Sequence, residues 1–170
     1  MKFTINTPKF QDMVARASKG ASSNKLLPIT SMMAISLKDN VLELITTDTS
    51  NTLKIIEDKV EGDDFYCVVP AEVFTKLVAR TTSPKITLQL KDSSLEVKGN
   101  GVYNISLPMD EEGPVIFPTY KFKKTAEPEI VNLTTIKNIL NINKPAIAKN
   151  LDTPCLCGYY LGDKVITTDE

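Results

Sequence analysis

Phe10-Gln11-Asp12-Met13-Val14-Ala15-Arg16 returns further along the chain as Phe74-Thr75-Lys76-Leu77-Val78-Ala79-Arg80. The start moves from residue 10 to residue 74, an offset of 64. Ile136-Lys137-Asn138-Ile139-Leu140 is a weaker third copy, offset by 126 from Phe10. Each copy places apolar residues at i, i+3 and i+4, which lie on one face of a helix. Helix-start chemistry precedes each: Thr7-Pro8, then Pro70 with Glu72, then Thr134 and Thr135. Pro145 cannot continue the third helix, which is expected to end near Lys144.

Strand patterns surround the helices. KFTIN (2–6) alternates and leads into the first. SMMAISL (31–37) and VLELITT (41–47) flank a short polar turn, and TLKIIEDKV (52–60) follows. Around the second helix lie DFYCVVP (64–70), KITLQL (85–90), SLEVKG (94–99) and YNISL (103–107). The unit is strand-helix-three strands, in modules 1–62 and 63–107. A period near 63 is too long for a solenoid and suits a duplicated α+β architecture, with helices on one side of antiparallel sheets. Prolines at 108, 114, 118 and 128 and the acidic run Asp110-Glu111-Glu112 read as linker chemistry. The expected division is a first domain over 1–118, a linker over 119–128, and a partial second domain over 129–170. That second domain reads as EIVNL (129–133), the third helix, PCLCGYYL (154–161) and DKVITTDE. Its Ile166-Thr167-Thr168-Asp169 repeats Ile45-Thr46-Thr47-Asp48 at an interval of 121, while Pro28 and Pro154 keep the offset of 126. The third module's hairpin is therefore five residues shorter.

Composition narrows the function. The 170 residues are 42% apolar, enough for a buried core, and carry 20 basic and 21 acidic side chains. There is no histidine, so Ser-His and Cys-His nucleophiles and His-containing zinc sites cannot be built within the chain. The three cysteines and the absence of a signal-type N-terminus point to a reducing, cytoplasmic setting, and no stretch is long and apolar enough to span a membrane. Cys155 and Cys157 read as neighbours on one strand face, with core packing favoured over metal binding. Asp48 and Asp169 occupy equivalent places in two domains, so they suit turns rather than a catalytic pair. No glycine-rich phosphate loop, cofactor site or metal site is indicated.

The net charge of -1 hides a segregation. The helical segments 7–19, 70–80 and 134–149 hold Lys9, Arg16, Lys19, Lys76, Arg80, Lys137, Lys144 and Lys149 against only Asp12 and Glu72. A solvated helix face explains such charge blandly; a surface turned toward phosphates explains it functionally. Without aromatics or an Arg/Asn/Gln cluster on these faces, duplex backbone contact without base reading is the form expected.

Met1-Lys2-Phe3-Thr4, Leu27-Pro28-Ile29, the stretch Leu42 to Asp48, Val69-Pro70-Ala71, Phe117-Pro118, Leu156-x-Gly158 and Thr168-Asp169 occur in an order that resembles the bacterial DNA polymerase sliding clamp, the beta-subunit family. The resemblance covers essentially the whole chain. It implies domains of two strand-helix-three-strand modules, three to a subunit, and a homodimeric ring with helices lining a hole for duplex DNA. The chain would hold one such domain and about a third of the next, as a fragment of a longer protein would. Lys25 and Asn150 would join the basic helix residues as DNA contacts. Leu156 and Thr168 would begin the wall of a partner-peptide pocket. Val73, Leu77, Tyr103 and Ile105 would meet a neighbouring subunit. Pro154-Cys155 and Glu170 depart from the family's usual residues at the pocket. The implied function is a non-catalytic processivity factor serving a polymerase and a clamp loader. The rivals are a carboxylate- and metal-dependent hydrolase using Asp48, and a duplicated interaction module with no DNA role.

Overall fold

The computed structural model describes residues 1–22, 26–111, 113–118, 130–149, 153–162 and 164–169. They fall into two compact units, Met1–Lys121 and Phe122–Glu170.

In the first unit, strand β1 (Lys2–Asn6) runs without a loop into helix α1 (Thr7–Ala17). The cap is Asn6, one residue before the expected start: its side chain accepts from the Lys9 amide at 3.2 Å, and Pro8 sits in the first turn, where no amide is needed. A 3-10 turn over Pro28–Ser31 leads to β2 (Met32–Lys38), β3 (Val41–Thr47) and β4 (Thr52–Asp58). β5 (Phe65–Pro70) then runs into α2 (Ala71–Ala79), followed by β6 (Lys85–Lys91), β7 (Ser94–Lys98) and β8 (Val102–Ser106). Strand-helix-three strands occurs twice, as the repeat requires.

The sheets cross the module boundary. One has the order β4-β3-β2-β5 and the other β1-β6-β7-β8, antiparallel throughout. Each module's first strand leaves its own three strands and pairs with those of the other: Ile5 lies opposite Ile86, and Val68 opposite Ala34. Each helix thus carries the chain from one sheet to the other. α1 and α2 pack together over the inner faces of both sheets, and one continuous core results. Phe10 joins the modules, with its ring edge-on to Phe3 and Phe74 at centroid distances of 6.3 and 6.0 Å. Gly62 bridges Phe3 where β1 approaches the start of β5; a Cβ there would lie 2.4 Å from the Phe3 Cβ, so only glycine fits.

Both helix ends are closed by side chains from elsewhere. The Thr46 hydroxyl, fully buried, donates to the Ala17 carbonyl at 2.6 Å. The Gln11 amide of α1 donates to the Val78, Ala79 and Thr81 carbonyls at the end of α2, at 2.9, 3.3 and 2.9 Å. These bonds satisfy carbonyls that a helix leaves open at its C-terminus. Thr46→Val keeps the shape and removes the donor, so it is expected to cost about 1–3 kcal/mol in chemical denaturation. Unchanged stability would refute the bond's role.

The stretch read as linker is only partly one. β9 (Met109–Asp110) pairs with β10 (Gly113–Pro114), and Phe117 is buried on the outer face of the β2–β5 sheet against Ala34 and Val68. The Phe117 amide donates to the Tyr66 hydroxyl at 2.9 Å, which fastens the strap. Residues 119–129 lie outside those described.

The second unit holds α3 (Leu133–Asn143), capped by Asn132, then 3-10 turns over Lys144–Ala146 and Pro154–Leu156. β11 (Tyr160–Leu161) pairs with β12 (Val165–Ile166). Two expectations fail here. Residues 130–132 form no strand, and the strand expected over 154–161 is a 3-10 turn followed by only two strand residues. Cys155 is accordingly exposed and Cys157 half-buried, rather than packed in a core. The 3-10 turn at Pro154 corresponds to the one at Pro28 in the first unit, where the strand likewise begins only after the turn. The repeated tetrapeptide keeps its job, because the Thr167 hydroxyl donates to the Asn143 carbonyl at 2.9 Å, as Thr46 does to Ala17.

Candidate nucleic-acid interface

The side of the α1–α2 layer away from the sheets is where the expected DNA contacts of the first unit lie. The apolar stripe Phe10, Met13, Val14 and Ala17 turns α1 inward, which exposes Arg16 and leaves Lys9 exposed at the helix's edge beside β4. Phe74 and Val78 orient α2 likewise, which exposes Lys76 and Arg80. Lys19, on a 3-10 turn after α1, is exposed too.

Three of these cations have acidic neighbours. Arg16 meets Asp12 at 2.7 Å and Lys76 meets Glu72 at 2.5 Å, each one helical turn apart. Lys9 meets Glu57 of β4 at 2.8 Å, a pairing that sequence alone did not reveal because it joins distant segments. The helix layer is therefore less positive than its own charge count. Exposed pairs of this kind are worth only about 0–1 kcal/mol, so a phosphate can replace the carboxylate at little cost. Lys19 and Arg80 have no ion pair among the described residues. Lys137 on α3, and Lys144 and Lys149 beyond it, are exposed in the second unit. Lys25 and Asn150 lie outside the described residues, as does Glu170.

At the end of α2 the structure gathers residues expected in two different roles. Lys76, Leu77, Arg80 and Tyr103 line one cleft of about 190 Å³, together with Thr81 and Asn100. The Asn100 side-chain oxygen accepts from the Thr82 and Ser83 amides at 2.7 and 2.9 Å and its NH2 donates to the Arg80 carbonyl, which fixes that corner. Val73 and Tyr103 are exposed, at 55% and 45%. Ile105 corrects the expectation that it faces a neighbour: at 8% exposure it points into the core, on the side of β8 turned to the helices. In the second unit Leu156 closes a 3-10 turn and is half-buried, and Thr168 follows β12 and is exposed.

The carboxylates read as structural. The Asp48 carboxylate accepts from the Asn51 and Ser50 amides at 2.6 and 2.9 Å and from the Asn51 side chain at 3.2 Å. The Asn51 bonds, first among these contacts, hold its carboxyl below the usual range, so it is a poor proton donor. Glu96 is buried on β7, with Lys91 at 2.5 Å and Lys98 at 2.9 Å, and those two lysines lower its carboxyl likewise. Burial pushes the Cys67 thiol up to about 12, which leaves it inert. Among the described residues no three His, Cys, Asp or Glu side chains gather as a metal site, and no helix is long and apolar enough to cross a membrane.

Residues 1–116 match the family model of the DNA polymerase III beta subunit, N-terminal domain. The DNA polymerase III beta subunit of Thermotoga maritima is 24% identical, with a TM-score of 0.76, over 99% of this chain and 47% of that one. The beta chain of Streptococcus pneumoniae TIGR4 is 16% identical with a TM-score of 0.87, over 99% and 48%. The Bacillus subtilis sliding clamp is 19% identical with a TM-score of 0.85, over 99% and 47%. No curated protein matches significantly. The chain spans about half the length of these structures, and they share its fold. With its two interlocked modules inside the matched residues 1–116, the chain belongs to the DNA polymerase III beta subunit family.

Proposed function

We propose that this chain is part of a sliding clamp: a non-catalytic ring that encloses duplex DNA without reading its sequence and tethers a polymerase to it. One observation carries the reading. The matched first unit exposes Arg16, Lys76 and Arg80 on a two-helix layer whose other side is covered by sheet, with Lys19 just past the end of α1 and Lys9 at the layer's edge beside β4. Such a layer offers phosphates a positive, aromatic-poor surface, suited to holding a backbone while it slides. In the ring, Val73, Leu77 and Tyr103 would meet the neighbouring subunit of a homodimer. Leu156 and Thr168 would form part of the wall that takes polymerase and clamp-loader peptides, and Lys25, Lys137, Lys144, Lys149 and Asn150 would extend the DNA-facing surface. The engagement of Asp48 in its own turn speaks against a hydrolase.

The experiment is retention on DNA. The protein that includes this chain, loaded on nicked circular duplex by a clamp loader, is expected to stay bound through gel filtration. It is expected to be lost when the circle is cut, because only a ring slides off an end. Equal retention on circular and linear DNA would reject the clamp.

A further inference from the structure

We propose that the outward face of the β1-β6-β7-β8 sheet is a docking surface for an acidic, extended segment of a partner protein, received by Lys85, Lys98 and Lys91. This proposal does not depend on the DNA reading.

Alternation turns Ile86, Leu88, Leu95, Val97 and Ile105 into the core and their neighbours to the opposite face. On that face the register sets Lys98 between Thr87 and Val102, Glu96 between Gln89 and Asn104, and Lys85 opposite Asn6. Its strand residues include four exposed lysines, Lys2, Lys85, Lys91 and Lys98, against one acid, Glu96. The face thus carries +3 in a chain whose net charge is -1. The outward face of the other sheet differs: Lys38 and Lys54 are balanced there by Glu43 and Asp58, and Phe117 lies on it.

Glu96 points outward yet is only 5% exposed, because Lys91 and Lys98 close over it at 2.5 and 2.9 Å. Their own side chains stay 50% and 47% exposed, so each ammonium keeps N–H donors turned to solvent. One carboxylate therefore fixes two flexible cations before a ligand arrives, which lowers the ordering cost of binding. Asp63, which accepts from the Lys2 amide, and Asp92, in the β6–β7 turn, lie at the Lys2 and Lys91 end. The positive charge is accordingly densest around Lys98 and Lys85. Spacing selects the occupant. Lys85 and Lys98 are diagonal neighbours on adjacent strands, about 7–8 Å apart at the backbone. Carboxylates on alternate residues of an extended segment share one face at about 6.5–7 Å, so such a segment meets both lysines and straddles Glu96. Duplex DNA carries a charge about every 1.7 Å, too dense to stay clear of that carboxylate. Single strands favour aromatic platforms, and this face has none among the described residues. Its one exposed apolar strand residue, Val102 at the edge, is too little for a hydrophobic anchor.

Fluorescence anisotropy tests this, with the protein that includes this chain and a labelled peptide of alternating glutamate and serine. The peptide is expected to bind, less tightly as salt rises, while its glutamine counterpart does not. Lys85→Gln/Lys98→Gln is expected to raise the dissociation constant about tenfold. That variant leaves Glu96 its bond to Lys91, so the buried carboxylate stays paired. Lys54→Gln, on the other sheet, is expected to change nothing. A labelled single-stranded oligothymidine is expected to lose less affinity than the peptide in the double variant. Absence of peptide binding overturns the proposal, as does binding indifferent to Lys85→Gln/Lys98→Gln, or an oligothymidine that loses more than the peptide. If the double variant does not fold, Lys85→Gln decides: it breaks no ion pair among the described residues, and an unchanged dissociation constant is equally fatal.

Discussion

Phe10→Ala is expected to destabilise the first unit by about 3–5 kcal/mol, the range for emptying a buried aromatic site. Phe10 is fully buried, and its ring is edge-on to Phe3 of β1 and Phe74 of α2. Those neighbours come from strands and helices of both modules, so the cavity cannot close by a shift within one of them. Phe10→Leu leaves a smaller void and is expected to cost less. Urea denaturation followed by circular dichroism measures both. The transition of the unit should remain single, because the exchanged first strands tie the modules into one core. A loss below about 1 kcal/mol for Phe10→Ala, or two separate transitions in the wild-type first unit, would reject Phe10 as the joint between the modules.

Replacing Lys9, Arg16, Lys19, Lys76 and Arg80 together by glutamine is expected to flatten the salt dependence of duplex binding by about 2 to 4.5 in the slope of log K against log salt. Each phosphate neutralised contributes about 0.9; the lower figure counts only Lys19 and Arg80, and the upper one is reached when Asp12, Glu57 and Glu72 release their cations to phosphates. At low salt the variant is expected to bind about a hundredfold or more weakly. Lys38→Gln, on the strand side of the unit, is the control and should leave the slope unchanged. Fluorescence anisotropy with a short labelled duplex, titrated with potassium chloride, gives both quantities. A slope equal to that of the wild type would remove the helix layer from the DNA interface.

The candidate site was legible to the extent that it depends on local pattern. Phe10, Met13 and Val14 announced the buried face of α1, and that alone placed Lys9 and Arg16 outside. Glu57 was not legible, because its approach to Lys9 depends on how α1 lies over β4. Ile105 could not be assigned from strand alternation without knowing which face of β8 meets the helices. The cysteines at 155 and 157 alternated as strand residues would, but a 3-10 turn holds them. The matching turn at Pro28 in the first module was the available sign.

The repeat carried most of the architecture in the sequence itself. A helix period at 10, 74 and 136 with alternating strands between is a property of neighbouring residues, and so are the module count and the helix orientation. Only the tertiary structure decided that each first strand crosses to the other module's sheet. Backbone pairing between segments some eighty residues apart, such as Ile5 with Ile86, leaves no local periodicity to read. That exchange is why the first unit closes into one core.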